Sequence, residues 1–193
     1  MKSLITNIFV ILGFTLYAGT AVINGVRWNY TEYGDSVTIG PGYSIGGTFY
    51  PAIAVGTSEI TIPSEIDGRT VTSIGDSAFK GCLLKRVTFP GSIKTVARLA
   101  FYQCTSLEEV NILDLTSWSE INIDTNLAHP SEYAKHFYVN GVPIDENLIV
   151  PDSVKTIGTN AFYRFNSLLS VTIPSNVTRI SGGAFAKCKS LKV

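Results

Sequence analysis

The chain has 193 residues, 45% of them apolar and 16% charged, which suits one folded domain or one short array and excludes an extended disordered chain. Lysine plus arginine and aspartate plus glutamate both number 15, so the formal charge is zero and the basic footprint needed to neutralise phosphates is missing. Nucleic acid is therefore not an expected partner.

The opening "MKSLITNIFVILGFTLYAGTA" sets Lys2 ahead of an apolar run from Leu4 to Tyr17, which closes on the small residues Ala18, Gly19, Thr20 and Ala21. This is the pattern of a signal peptide over residues 1–21. The competing reading, a membrane anchor, asks for roughly 20 apolar residues, and this run is shorter. No later segment reads as a membrane span, and no cysteine stands near the expected cut to accept a lipid. The mature chain is expected to begin near Val22 and to be secreted, extracellular or at the cell surface.

Residues 22–58 carry three strand-like stretches, "VRWNYTEY", "DSVTI" and "GGTFYPAIAV", and are expected to form an N-terminal β cap over the first unit of a repeat array. Within them "GPGYSIGG" is glycine-rich, but it lacks the lysine of a phosphate-binding loop and reads as a hairpin of the cap.

From Ile60 onward the chain repeats. "VTFPGSIKTVARLAFYQCTSLEE" from Val87, "LIVPDSVKTIGTNAFYRFNSLLS" from Leu148 and "VTIPSNVTRISGGAFAKCKSLKV" from Val171 are copies of one 23-residue unit; an earlier copy from Ile60 is stretched by the turn-forming pair Asp67-Gly68. Each column has a physical meaning. Val or Ile alternating with polar residues before the proline predicts a short half-buried strand that the proline ends, and a second extended piece comes after it, as in Lys155-Thr156-Ile157. The pairs Ala78-Phe79, Ala100-Phe101, Ala161-Phe162 and Ala184-Phe185 let two coil turns approach over the small residue and fill the gap with a ring. Burying each ring is worth roughly 1.5–3 kcal/mol.

Three residues after each phenylalanine the column reads Cys82, Cys104, Phe165 and Cys188. A position that accepts Phe asks for apolar volume, and a free cysteine behaves as a small buried hydrophobe. The three thiols are thus expected to stay free and slow to react. The alternatives are a disulfide between Cys82 and Cys104 on neighbouring rungs, and a zinc site, for which the cysteine and histidine spacing is wrong.

Residues 110–147 form an overlong unit. Ser131 to Phe137 predicts a short helix from its serine start and the spacing of Tyr133, Ala134 and Phe137, and Asn140-Gly141 predicts a hairpin turn. Trp118, beside Leu115 and Ile121, is expected in the core. His129 precedes Pro130 in a turn and His136 falls on the expected helix.

The pattern seen in "LEEVNI", "VTIPSNVTRISGGAFAKC" and "VPDSVKTIGTNAFYRF" resembles the BspA-like leucine-rich repeat family over about residues 60–193. The long unit, with its "DLTSW", "NLAHP" and "YVNG", is similar to a variant repeat of that family. The resemblance implies a mainly β repeat solenoid, a right-handed leucine-rich-repeat array of about 23-residue rungs over residues 59–193 with a strand on the concave side of every rung. It also implies a secreted or surface protein, associated in part with adhesion, and brings no catalytic residue. The array stops inside "SLKV", where the next strand should start, so it is expected to be truncated; an open last rung would expose strand edge, with self-association as the consequence.

The residues suggest no enzyme, cofactor or metal site. What remains is surface. Alternation turns Arg86, Thr88, Glu109, Asn111, Ser170 and Thr172 outward on successive rungs, a candidate interaction surface for an extracellular protein or glycoprotein. Two other classes stay open: a passive spacer for a further C-terminal module, and a carbohydrate-binding module using exposed aromatics such as Trp28, Tyr30, Tyr33 and Tyr43. Asn29 and Asn176 stand in glycosylation acceptor patterns, whose use depends on the source.

Overall fold

In the computed structural model residues 7–11, 14–40, 43–45, 48–54, 56–144 and 146–192 are described. The cap is built from local turn chemistry. Strands β1 (Asn7–Ile11), β2 (Phe14–Ile23), β3 (Val26–Tyr33) and β4 (Ser36–Ile39) form an antiparallel meander. Asn24 and Gly25, at φ 51° and 77°, supply the two-residue turn between β2 and β3. The glycine-rich stretch contributes the expected hairpin, β5 (Tyr43–Ile45) with β6 (Thr48–Tyr50). The boundary expected after Ala21 falls inside β2, whose residues Tyr17–Ile23 pair with β3. A cut there would strip most of β2 and leave β3 at the sheet edge. Residues 1–6, 12 and 13 of the expected signal segment lie outside the described residues.

The first repeat explains its own extra length. After β7 (Glu59–Thr61), strands β8 (Glu65–Ile66) and β9 (Arg69–Ile74) form a hairpin through Asp67-Gly68, at φ 49° and 78°. β4 of the cap pairs in parallel with β9. Tyr30 Oη donates to Asp67 Oδ2 at 2.7 Å, and Arg69 pairs with Glu32 at 3.4 Å. Gly19 leaves room for the Tyr30 ring, since a Cβ there would stand 2.5 Å from the ring's Cζ. The inserted turn is therefore where the cap docks.

The next rungs contribute β10 (Arg86–Phe89) and β11 (Thr95–Val96), then β12 (Glu109–Ile112), the helix α1 (Leu115–Ser119) and β13 (Asn122–Ile123). The long unit continues with β14 (His136–Val139) and β15 (Val142–Pro143); the last rungs add β16 (Asn147–Ile149) and β17 (Thr156–Ile157), then β18 (Ser170–Thr172) and β19 (Arg179–Ile180). In the front sheet β7, β10, β12 and β14 run parallel in register, stacking Ile60, Val87, Val110 and Phe137. A second row pairs β9, β11 and β13. Beyond the long unit the two rows resume as separate pairs, β16 with β18 and β17 with β19.

Between the second row and the next front strand, each regular rung makes a tight ridge. Phe79, Phe101 and Phe162 are fully buried there, and ladder bonds such as Phe79 N to Ala100 O and Phe162 N to Ala184 O, both 2.8 Å, tie one ridge to the next. The ridge requires left-handed backbone at Ser77, Leu99 and Asn160, and again four residues later at Gln103 and Arg164. Each such non-glycine residue costs about 1–2 kcal/mol, which the stacked ladder and ring burial offset.

The long unit departs from expectation in one element. No helix spans Ser131–Phe137: Pro130–Glu132 is a single 3-10 turn, and His136–Val139 is strand β14. The alternation of buried Phe137 with exposed His136 has period two, and pairing with β12 outweighs the weak helix start. Helix instead forms at α1, where Asp114 Oδ1 caps the N–H groups of Thr116 at 2.9 Å and Ser117 at 3.3 Å. Trp118 is buried as expected, and Asn140-Gly141, at φ 49° and 79°, turns β14 into β15.

Just after α1 the backbone of Glu120 and Ile121 lies directly against the next rung. Gly158 N donates to Ser119 O at 2.8 Å, and a Cβ on Gly158 would overlap the Ile121 carbonyl. Backbone cannot yield there as a flexible side chain would. Gly158→Ala is expected to lower the unfolding free energy by about 2 kcal/mol or more. Gly182→Ala, which meets nothing within 4 Å, should be neutral or slightly stabilising. Urea midpoints of the two variants compare them directly.

Candidate interaction face

Register on the front sheet sets two outward columns side by side: Glu59, Arg86, Glu109 and His136, and beside them Thr61, Thr88, Asn111 and Tyr138. Arg86 bridges its neighbours, with Nε donating to Glu109 Oε2 at 2.7 Å and Nη1 to Glu59 Oε2 at 3.2 Å. The hydrogen bond and charge of Arg86 hold the Glu109 carboxyl below the usual carboxylate range, and Glu109 in turn raises the Arg86 guanidinium. Such solvated pairs add little stability, but they hold side chains in a defined array across three strands. Asn111 has a structural duty as well: its Oδ1 accepts from Gly141 N at 3.0 Å and so fixes the tip of the β14–β15 hairpin.

Arg86, Thr88, Glu109 and Asn111 are thus brought together on one sheet. Ser170 and Thr172 are not with them; they stand on β18, paired to β16 in a separate sheet, where Ser170 Oγ donates to Asn147 Oδ1 at 2.6 Å. Counting rungs by the regular repeat places all six in one row, and the β14–β15 hairpin interrupts it. Glu59, His136 and Tyr138 share the face but are not singled out by the sequence pattern. Glu59 is legible as the residue before Ile60, the place Arg86 holds before Val87, whereas His136 is hidden by the helix expected over Ser131–Phe137 and Tyr138 by its assignment to the hairpin around Asn140-Gly141.

The aromatics suited to a glycan are mostly not available. Trp28 and Tyr30 are 1% and 5% exposed, so they are core residues of the cap rather than surface rings; Tyr33 is 52% exposed. The side chain of Tyr43 lies outside the described residues. The amides of Asn29 and Asn176 donate to backbone carbonyls, Asn29 to Pro51 at 2.9 Å and Asn176 to Asp152 at 2.7 Å and Val154 at 2.9 Å.

Concavities are modest. A shallow depression of about 380 Å³ on the second row is lined by Thr95, Asn122, Asp124 and Thr159 among others, and a void of about 10 Å³ lies against Trp118. Among the described residues no group of three or more His, Cys, Asp or Glu side chains could hold a metal ion, and no helix is long and apolar enough to cross a membrane.

The three cysteines are free, Cys82 and Cys104 buried and Cys188 half-buried. Two of them do more than fill space. Cys104 Sγ donates to Phe79 O at 3.0 Å and Cys188 Sγ to Phe162 O at 3.1 Å, each reaching the phenylalanine of the preceding rung. Burial pushes the Cys82 thiol up to about 11 and Cys104 to about 12. A thiol-disulfide reagent at pH 8 is therefore expected to label neither in the folded protein and both on denaturation. Rapid labelling of Cys104 in the native state would contradict this assignment.

His129 is fully buried, ringed by Trp118, Tyr163, Phe137 and Phe165 at centroid distances of 5.9, 6.0, 6.3 and 6.3 Å. Its Nδ1 accepts from Ser131 N at 3.0 Å and its Nε2 faces Ala161 O at 3.4 Å, which fixes a neutral ring protonated on Nε2. Desolvation drives its pKa from 6.5 down to about 3. As pH falls below 6.5 the unfolded chain takes up a proton that the folded chain refuses, so stability declines until the folded ring also titrates. Between pH 7 and pH 5 the loss from this residue is about 2 kcal/mol. Chemical denaturation across that range should show the slope, and His129→Asn should flatten it.

The model of the BspA type leucine rich repeat region matches six copies over residues 56–192. Among solved structures, the T. pallidum leucine rich repeat protein TpLRR is 26% identical with a TM-score of 0.51, over 85% of this chain and 66% of that one. A leucine rich cell surface protein of Faecalibacterium prausnitzii A2-165 is 20% identical with a TM-score of 0.44, over 90% of this chain and 53% of that one. A leucine-rich repeat protein of Bacteroides capillosus is 21% identical with a TM-score of 0.39, over 84% and 87%. This chain therefore spans 66% and 53% of the length of the first two proteins. No curated protein matches it. With repeated Pro, Ala-Phe and Cys columns that stack as rungs, and a family match across most of its length, the chain belongs to the BspA-type leucine-rich repeat family.

Proposed function

We propose that this chain is a non-enzymatic binding array of the cell surface, which engages an extracellular protein or glycoprotein through its front sheet. Leucine-rich repeat arrays are in general scaffolds for protein interaction, and parallel strands stacked in register offer a broad, stiff face. The observation that carries the reading is the Glu59–Arg86–Glu109 bridge, which pre-orders charged side chains across three strands, with no deep pocket behind them among the described residues. Affinity on such a face is spread over polar contacts, and pre-ordering reduces the entropy lost on binding. The signal-like opening of the sequence and the description of the F. prausnitzii protein as a cell surface protein support the location.

The test is surface plasmon resonance of the whole chain against a panel of purified extracellular proteins and glycoproteins. For a partner so found, joint replacement of Arg86, Thr88 and Glu109 by Ala should weaken binding at least about tenfold. Asn111 is left intact because it holds the hairpin. Unchanged affinity of the triple variant would remove the face from the account, and a chain that binds nothing in the panel would favour a spacer.

A further inference from the structure

The front sheet stops in the middle of the array. β14 turns back through Asn140-Gly141 and pairs antiparallel with β15, Tyr138 opposite Pro143 and Val139 opposite Val142. The next front strand, β16, pairs with β18 and with no other strand among the described residues. In a parallel ladder alternate residues bond to opposite sides. Val150 N donates to Thr172 O and Ser170 N to Glu146 O, both at 3.0 Å, so the even-numbered residues of β16 face β18. The N–H and C=O groups of Asn147 and Ile149 therefore point into the break.

In a regular rung the same positions are paired. Arg86 N donates to Ser58 O at 3.2 Å, and Thr88 O accepts from Ile62 N at 3.0 Å. At β16 the side chains depart from the column too. Where β7, β10, β12 and β18 show Thr61, Thr88, Asn111 and Thr172 and β14 shows Tyr138, β16 shows Ile149, 69% exposed, and the β14–β15 hairpin carries Val142, 65% exposed. Natural edges are usually blunted by lysine, proline or a bulge. A β-branched apolar residue on a free edge does the reverse.

We propose that the free edge of β16 receives an extended segment of a partner protein, which adds as a strand beside Asn147–Ile149 and sets an apolar side chain against Ile149 and Val142. This rests on the reading of the front sheet as a protein-binding face, and it names the place on that face and the chemistry of what binds there. The occupant is a polypeptide because the edge presents donors and acceptors repeating every second residue, about 6.6 Å apart, and an extended backbone repeats with that spacing. Leu148 and Val150, both buried, anchor the strand so that its edge is ordered before the partner arrives.

The test uses a fluorescent peptide of this chain's own front-strand sequence, LKRVTFP from Leu84 to Pro90, titrated with the whole protein and read by anisotropy. Two further peptides carry N-methyl groups on Arg86 and Thr88, or on Val87 and Phe89. Saturable binding is expected for the parent peptide. One methylated peptide should bind at least about tenfold more weakly and the other within about twofold, because only one set of amides faces β16. In the protein, Ile149→Pro removes a donor that β18 does not use and should also weaken binding at least about tenfold, while Ile149→Thr keeps the backbone and should cost only a few-fold.

No saturable binding up to about 1 mM, equal affinity of both methylated peptides, or full affinity in a folded Ile149→Pro protein would each overturn the proposal. The peptide series decides even if Ile149→Pro fails to fold. A partner lost by the Arg86, Thr88 and Glu109 variant but kept by Ile149→Pro would leave the binding face standing and overturn the edge alone.

Discussion

The contact on which the rest depends is ring against ring along the axis. Trp28 of the cap meets Phe79 edge-on at 6.4 Å, Phe79 meets Phe101 at 5.0 Å, and Phe101 meets Phe89 at 5.8 Å. The series continues through Trp118 at 5.1 Å from Phe89, Phe137 against Phe165 at 4.1 Å, and Phe162 stacked on Phe185 at 5.3 Å. A single rung cannot bury both faces of its own phenylalanine, so each unit is stable only between neighbours. The alanine before each phenylalanine sets how closely the coils approach. In the long unit, which lacks the Ala-Phe pair, Trp118, His129 and Phe137 carry the stack across. The neutrality of His129 follows from that role, because a charged ring could not sit among four aromatic side chains without solvent.

What the sequence made legible was local. Period-two alternation revealed the front strands, fixed spacing revealed the Ala-Phe and Cys columns, and the Asn140-Gly141 and Asp67-Gly68 turns follow from left-handed backbone preferences. Burial of Trp28 and Tyr30 was readable too, since they stand two positions apart on β3 and so share a face; treating them as exposed ignored that alternation. Helix α1 was within reach, since its cap Asp114 is adjacent to it in sequence. Two features were out of reach for a physical reason: β14 is a strand because β12 offers it a ladder, and Gly158 is tight because the Ile121 carbonyl lies against it. Each is decided by a neighbour distant in sequence. The interruption between Asn111 and Ser170 belongs to the same class, because a uniform rung count cannot see a hairpin that leaves the register.

The proposed interaction face illustrates how one repeat divides its positions between core and surface. Inward positions repeat closely because apolar volume is their main requirement. Outward positions vary from rung to rung: a charged bridge at Arg86, a hairpin held by Asn111, then an apolar edge at Ile149. Family membership explains the first set and is silent about the second.

The two walls of the array are not equally continuous at the long unit. At the front no strand among the described residues joins β14 to β16, yet at the back Gly158 N bonds to Ser119 O, Ile123 N to Thr159 O, Lys155 N to Glu120 Oε1, and Asn160 Nδ2 to Ile123 O, at 2.8, 3.0, 3.2 and 2.9 Å. A wall bonded on one side and open on the other is a hinge. Opening it would splay the front halves and change the curvature of the solenoid while breaking none of these rear bonds. The direction in which bending would break the fewest backbone bonds is thus set by the position of one hairpin.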